Sequence, residues 1–494
     1  MRPSGATPFL RSSAPWFGLL ATAAAGIGLS SSVTPSPFLP VLPGGLEPAG
    51  WLTRAARDVG LDGLGPSAAS LRASLLMGIA IVAFAALALA AWRGRVATGT
   101  AVVWSLILIG LVTLLPPLLS RDVYSYAIYG RIWAIEGANP YVHPPIEFLQ
   151  DPFVGVVSAE WIRTPSVYGP AFTLLSGGVV KAFPSVAGSV MAFKALSGLA
   201  LAATVVITSR LAERVAPGRG AFAAVAVGVN PVLLFHAVGG GHNDVFVGLA
   251  VAGALALWPR RALAATAVLT LGALVKIVGV VPLGLAMGAV VLRAGPGAGR
   301  RLRAVLPHVG VAAALAAVLF APFGYSKAVL SSFATLTARL GWASPVRFLV
   351  RTVQQVGGGD GVVAAVRLGF TALGVLLLVA ILNRVRAGDP RVSPAEAWGW
   401  GLLATTLCAA YLLPWYAAWF VPALVLTRRT APVVVGLAMC ALLATTAIPP
   451  EPAFAPEVWR GVTLSVHYVI APITLGLLVA LVLDLRRVLV GRGV

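Results

Sequence analysis

Residues 73–92 read ASLLMGIAIVAFAALALAAW, twenty positions without one charge. A helix of about 20 apolar residues crosses the hydrocarbon core of a bilayer. A helix on a soluble core needs a polar face, and this one is apolar all round. Runs of the same kind recur outward in both directions: 16–31, 100–119, 190–211, 221–235, 245–257, 262–275, 277–292, 305–320, 368–382, 397–413, 416–426, 431–448 and 464–483. No stretch of soluble-domain size separates them. Of the 494 residues, 59% are hydrophobic and 11% charged, and mean hydropathy is +0.92. That composition cannot supply the charged skin of a soluble domain. The expected fold is all-α: a single polytopic membrane domain over residues 1–494, with about 13–14 transmembrane helices. Residues 1–99 contribute two extra N-terminal spans, and 100–494 form the main bundle. The run at 16–28, behind Arg2 and Arg11, is read as a retained helix in preference to a signal peptide.

The formal net charge of +20 does not point to nucleic acid. With the N-terminus placed in the cytoplasm, 21 basic and 4 acidic residues fall on the inner side, a net +17. The remaining 15 basic and 12 acidic residues leave +3 elsewhere. This is the positive-inside bias of a membrane protein facing anionic lipid. It puts both termini in the cytoplasm and two long loops outside, at 121–170 and about 323–362. Residues 169–183 are apolar but too short to span, and are read as an interfacial helix on the outer surface. Cys408 and Cys440 lie in apolar runs and read as small buried hydrophobes, with no disulfide framework. The outer segment 35–72 carries no functional signal.

The first long loop opens SRDVYSYAIYGRIWAIEGANPYVHPP at Ser120 and holds five of the nine tyrosines, among them Tyr124, Tyr126, Tyr141 and Tyr168. Interfacial enrichment accounts for several of them. It does not account for Asp122, an acid set at the end of a span. A partly desolvated carboxylate there has the proton affinity a general base needs; alternatively, Asp122 pairs Arg121 or Arg131. Asn139 before Pro140 stops the helical pattern, and Val167–Pro170 turns the chain again, so the loop reads as helix, turn, helix.

Other polar residues sit where hydrocarbon penalises them: Lys194, the turn Gly239–Gly240–Gly241–His242–Asn243–Asp244, and Lys276. The lysines are either functional or snorkelling outward; the turn is either a binding element or a set of local caps. His242 and Asp244 have no further ligands at metal-site spacing. In the second loop, Tyr325, Lys327, Arg339, Trp342, Arg347 and Arg351 suit a phosphate headgroup or the solvated face of an amphipathic helix. Trp415 and Trp419, flanking Tyr416, share one helical face and suit a sugar platform or an aromatic belt.

Together these motifs are similar to those of the actinobacterial polyprenyl-phosphate-mannose-dependent α-1,6-mannosyltransferases, which build the mannan backbone of lipomannan and lipoarabinomannan. The first-loop stretch carries most of the resemblance. The GGGHND turn, Leu274–Val275–Lys276 and PWYAAW add to it, from about Thr100 onward. The resemblance implies a GT-C membrane glycosyltransferase with Asp122 as catalytic base. It implies Lys194 on the donor phosphate, and Arg339, Arg347 and Arg351 of the second loop are further candidates. Tyr124, Tyr126, Asn139, Tyr141, Tyr168, His242, Asn243, Asp244, Lys276, Trp415 and Tyr416 are then candidates for the sugar substrates. The implied partners are a polyprenyl-phosphate sugar donor, a mannan or mannolipid acceptor and the lipid bilayer. The implied reaction is inverting, on the outer face of the plasma membrane. No metal and no other cofactor is expected. A transporter or flippase of lipid-linked glycan, or a transferase for another lipid-linked sugar, would share much of this pattern; the clustering of polar groups on one side favours the enzyme.

Overall fold

The computed structural model describes residues 8–30, 51–60, 65–327, 329, 339–341, 343–386, 392–446 and 456–490. Much of the segment 35–72 and Trp342 lie outside them. The described residues are helical, with no strand. In chain order the helices are α1 (Pro8–Ser30), α2 (Trp51–Asp58), α3 (Pro66–Trp92), α4 (Thr98–Leu114), α5 (Asp122–Ala134), α6 (Pro170–Ala182), α7 (Val186–Val215), α8 (Gly220–Gly228), α9 (Asp244–Leu257), α10 (Ala262–Val275), α11 (Val280–Arg293) and α12 (Ala298–Phe320). After the second loop come α13 (Pro345–Gln355), α14 (Asp360–Arg386), α15 (Pro394–Cys408), α16 (Ala417–Leu424), α17 (Thr430–Ala444), α18 (Pro456–Ser465) and α19 (Ala471–Val490).

Each of the fourteen apolar runs overlaps a helix among the described residues. Among the described residues, five segments are long and apolar enough to cross a membrane alone: Ser67–Trp92, Val186–Val215, Ala298–Phe323, Asp360–Arg386 and Arg460–Arg486. Gly220–Gly228 and Val232–Val238 make a sixth, bent by 43°. The other runs form shorter helices, because proline, glycine or a polar residue interrupts them. At the bend, Pro231 removes a backbone donor. Asn230 compensates, its side chain accepting from Val232 N at 3.2 Å and donating to Ala226 O at 3.3 Å.

The chain is a multi-pass membrane protein, and burial shows why. All of α8 and α16 and nearly all of α15 are enclosed by other helices. The apolar stretches of α12 and α14 are only 6% and 11% buried within the protein. Apolar surface on that scale is stable against lipid, not water.

The first long loop is a folded unit. Arg131 Nε pairs with Asp151 at 2.6 Å, Tyr129 donates to Thr164 O at 2.6 Å, and Tyr141 donates to Tyr168 O at 2.8 Å. Its two helices touch at glycines. A Cβ on Gly130 would lie 2.6 Å from the backbone of Ser176, and one on Gly177 would lie 2.6 Å from Trp133. At 13 residues α6 is too short to span, as its sequence indicates.

Gly178, one residue from that contact, has open space around its Cβ position. Thermal unfolding of the purified protein in detergent should therefore separate two alanine substitutions. Gly130→Ala should destabilise by about 1–3 kcal/mol through overpacking. Gly178→Ala should leave the melting temperature unchanged or raise it.

Candidate active site

The end of α4 decides where Asp122 is placed. Pro116 and Pro117 stop the helix, and Leu119 is turned into the left-handed region at φ 67°, a conformation a branched side chain adopts only under constraint. Leu118 N donates to Gly239 O at 3.0 Å, fixing the turn against the glycine-rich segment. A new helix, α5, then starts at Asp122, whose amide donates to Ser120 Oγ at 3.1 Å.

The glycine-rich turn lies against this point. Gly241 has φ 68°, and a Cβ there would press on Val123 and Lys194 at 3.2–3.3 Å. The turn delivers His242 beside Asp122, with Nδ1 3.6 Å from Oδ2 and 3.3 Å from the Tyr126 hydroxyl. Tyr126 also donates to Asn243 Oδ1 at 3.5 Å. The imidazole is stacked on Trp415, centroids 3.6 Å apart.

Asp244, wholly buried, accepts two bonds from Lys276 Nζ, both 2.8 Å, and one from Trp419 Nε1 at 2.7 Å. Lys276 stands in the break between α10 and α11, with its ammonium 4.9 Å from the centre of the Tyr416 ring. Gly169 N donates to Val275 O at 2.9 Å, so the end of the first loop rests on the same break. Only glycine fits there, since a Cβ would lie 2.0 Å from Leu274 O.

Asp122 differs from Asp244 in having solvent contact, its side chain being 17% exposed. Burial pushes its carboxyl up to about 7; Lys276 pulls it down, while Asp244 and Glu160 push it up. Arg131, which its nearness in the chain offers as a partner for this acid, pairs with Asp151 instead. A carboxyl balanced near neutrality at the mouth of an aromatic, largely buried cluster has the properties of a general base.

Six expected substrate residues thus converge on Asp122: Tyr126, His242, Asn243, Asp244, Lys276 and, through the ring stack, Trp415. Tyr416 joins them by stacking on Trp419 at 3.8 Å. Tyr168 sets its edge against Tyr126 at 4.9 Å, and Tyr124 is buried within the same aromatic cluster. Asn139 and Tyr141 hold the loop. Asn139 donates to Phe323 O at 2.7 Å, and Tyr141 bonds Tyr168 O and Thr173 Oγ1.

The four expected phosphate cations have different surroundings. Lys194 is fully buried and donates to Val112 O at 3.2 Å, Pro116 O at 3.5 Å and Gly239 O at 2.8 Å. Its three protons are committed to the main chain, so the structure gives it a scaffold position. Arg339 crosses to the first loop, ion-paired with Glu160, bonded to Thr164 Oγ1 at 3.4 Å and lying 4.1 Å over Trp161. Arg347 and Arg351 are on α13, where Phe348 packs its ring against His467 at 5.5 Å. The charges acting on Asp122 are instead Lys276, Asp244 and Glu160.

Two members of this neighbourhood are not legible in the sequence. Glu160 gives no signal beyond being an acid in an aromatic loop. Tyr411 falls inside the apolar run 397–413, but α15 ends at Cys408 and Gly341 N binds Ala410 O at 2.8 Å, freeing the chain to enter the site. Both Asp122 and Glu160 raise the Tyr411 hydroxyl, beyond the larger effect of burial. Among the described residues, no three histidine, cysteine, aspartate or glutamate side chains gather as a metal-binding set.

The family model described as "Alpha-(1->6)-mannopyranosyltransferase, N-terminal domain" matches residues 41–293, which include α5, the glycine-rich turn and Lys276. The chain is 29% identical over 372 residues to alpha-(1->6)-mannopyranosyltransferase A of Mycobacterium tuberculosis, covering 67% of each protein. It is 28% identical over 346 residues to a probable alpha-(1->6)-mannopyranosyltransferase of Mycolicibacterium smegmatis, covering 62% of this chain and 61% of the relative. A shorter match to alpha-(1->6)-mannopyranosyltransferase A of Corynebacterium glutamicum is 33% identical over 170 residues, 32% of each. The chain therefore spans between a third and two-thirds of the length of these relatives.

Lys276→Met strands the buried Asp244 carboxylate and should destabilise the fold by about 3–5 kcal/mol. Adding Asp244→Asn removes the stranded charge and should recover most of that loss, measured as melting temperature in detergent.

Proposed function

This chain belongs to the alpha-(1->6)-mannopyranosyltransferase family, and we propose that it transfers mannose from a polyprenyl-phosphate donor to a mannan or mannolipid acceptor. The link formed is α-1,6, with inversion, at the outer face of the plasma membrane. The observation that carries this is Asp122: a partly exposed carboxyl, balanced near neutrality, at the edge of an aromatic cluster beside a lysine.

In this reading the acceptor hydroxyl gives its proton to Asp122 as its oxygen attacks the anomeric carbon. The bond from that carbon to the phosphate oxygen breaks, and polyprenyl phosphate leaves with the electron pair. Positive charge fixed in advance lowers the cost of that departure. Lys276 and Arg339 are the cations best placed for it. Both are already paired with carboxylates, so the phosphate would compete with Asp244 or Glu160. Tyr416, Trp419 and Trp161 give the site aromatic surroundings of the kind that suit sugar rings. The exposed apolar flanks of α12 and α14 keep the site beside lipid, where the donor's tail would remain. The excess of basic residues on the opposite side of the expected topology supports an outward-facing site and cytoplasmic termini.

The test is transfer of labelled mannose from polyprenyl-phosphate-mannose to a short α-1,6-mannoside. Wild type should be active, and Asp122→Asn should lose about 100- to 10,000-fold in kcat. Because the base works only when ionised, the wild-type rate should rise through about pH 7 and level off above it. A wild type inactive with this donor but active with another lipid-linked sugar would overturn the donor assignment. An active Asp122→Asn would overturn the site.

A further inference from the structure

We propose that His242 is a positioning residue for Asp122, presenting Nδ1–H to one carboxylate oxygen so that the other is left to face the acceptor hydroxyl. This rests on the reading of Asp122 as the base and extends it to the residue that aims it.

The ring is held on every side. One face lies on Trp415, with centroids 3.6 Å apart and planes 18° from parallel. The edge bearing Nε2 meets Gly240, where a Cβ would sit 2.8 Å from Nε2 and 2.7 Å from Cδ2. The backbone is fixed by His242 N donating to Ala237 O at 2.7 Å and Ser197 Oγ donating to His242 O at 3.2 Å. A ring so enclosed cannot turn, and the edge it shows to Asp122 carries Nδ1.

The tautomer follows from the partners. Among the described residues Nε2 has none, whereas Nδ1 faces Asp122 Oδ2 at 3.6 Å and the Tyr126 oxygen at 3.3 Å. A buried N–H without an acceptor costs more than a bare lone pair, so the proton belongs on Nδ1. Tyr126 then sends its own proton to Asn243 Oδ1, and the donors run in a consistent order. Burial, followed by the neighbouring Lys276 charge, holds the imidazole's proton affinity well below the ordinary value. His242 therefore stays neutral and does not compete with Asp122 for the acceptor's proton. The 3.6 Å approach is longer than a hydrogen bond, the usual state of catalytic contacts before substrate closes the site.

The groups around Asp122 are His242, Ser120, Lys276, Asp244 and Glu160, with the hydroxyls of Tyr126, Tyr129, Tyr168, Tyr411 and Tyr416. Removing the histidine leaves the others and withdraws a donor to the ionised form. The carboxyl should then hold its proton to higher pH.

The experiment measures pH profiles of kcat and KM for purified full-length wild type, His242→Ala, His242→Gln and Trp415→Phe, with polyprenyl-phosphate-mannose and an α-1,6-mannoside. For His242→Ala we expect kcat to fall about 100-fold, as for an ångström-scale misplacement. The acid limb should move up by about one pH unit, with little change in either KM. His242→Gln, whose amide can donate, should restore part of both. Trp415→Phe should shift the limb less, in the same direction. An acid limb that stays at its wild-type position in the folded variants, with KM raised, makes His242 a sugar contact and overturns the proposal. If His242→Ala does not fold, the profiles of His242→Gln and Trp415→Phe decide in the same way. Failure of the underlying base assignment reads differently, as undiminished turnover in Asp122→Asn.

Discussion

Lys194 has no solvent contact, and its ammonium is satisfied by carbonyls at the end of α4 and in the glycine-rich turn. A charge this deep is tolerable only when hydrogen-bonded. The segments it joins lie more than a hundred residues apart in sequence, one leading into Asp122 and the other into His242. The lysine therefore fixes the separation of the two groups that matter most. Leu119, held in the left-handed region next door, is the local strain that this tie sustains.

From that tie the site builds outward by a division between two carboxylates. Asp244 is enclosed, with Lys276 and Trp419 supplying three donors. Burial raises the proton affinity of both acids, but these donors oppose it at Asp244, whereas Asp122 keeps solvent contact and, among the described residues, has no cation bonded to it. Two acids close enough to influence each other thus differ in chemical character because their surroundings differ. The ion pair also keeps a positive charge near Asp122 without neutralising it outright. Aromatic rings pack beside both acids, and the low-dielectric surroundings they make strengthen the polar contacts among them.

The two long loops belong to the same architecture. Asn139 binds the chain at Phe323, and Arg339 reaches back to Glu160 and Thr164. These contacts bring the second loop over the first and set Glu160 close enough to influence Asp122. The arginine that stands out in sequence as a phosphate ligand is also a clasp between loops. Glu160, its partner, is invisible there because an acid in a loop is ordinarily solvated.

What the sequence determined by itself was everything that depends on local apolar content. The uncharged runs became helices, and the interrupted ones became short or bent helices. These follow from hydrogen-bond demands inside a few consecutive residues. The tertiary structure decided which polar groups meet. Lys194 and Lys276 look alike in sequence, each a lysine at the edge of an apolar run. One finds main-chain carbonyls and becomes scaffold; the other finds a carboxylate and stays beside the site. The choice depends on partners 32 to 82 positions away, brought together by helix packing, and no local pattern carries that distance.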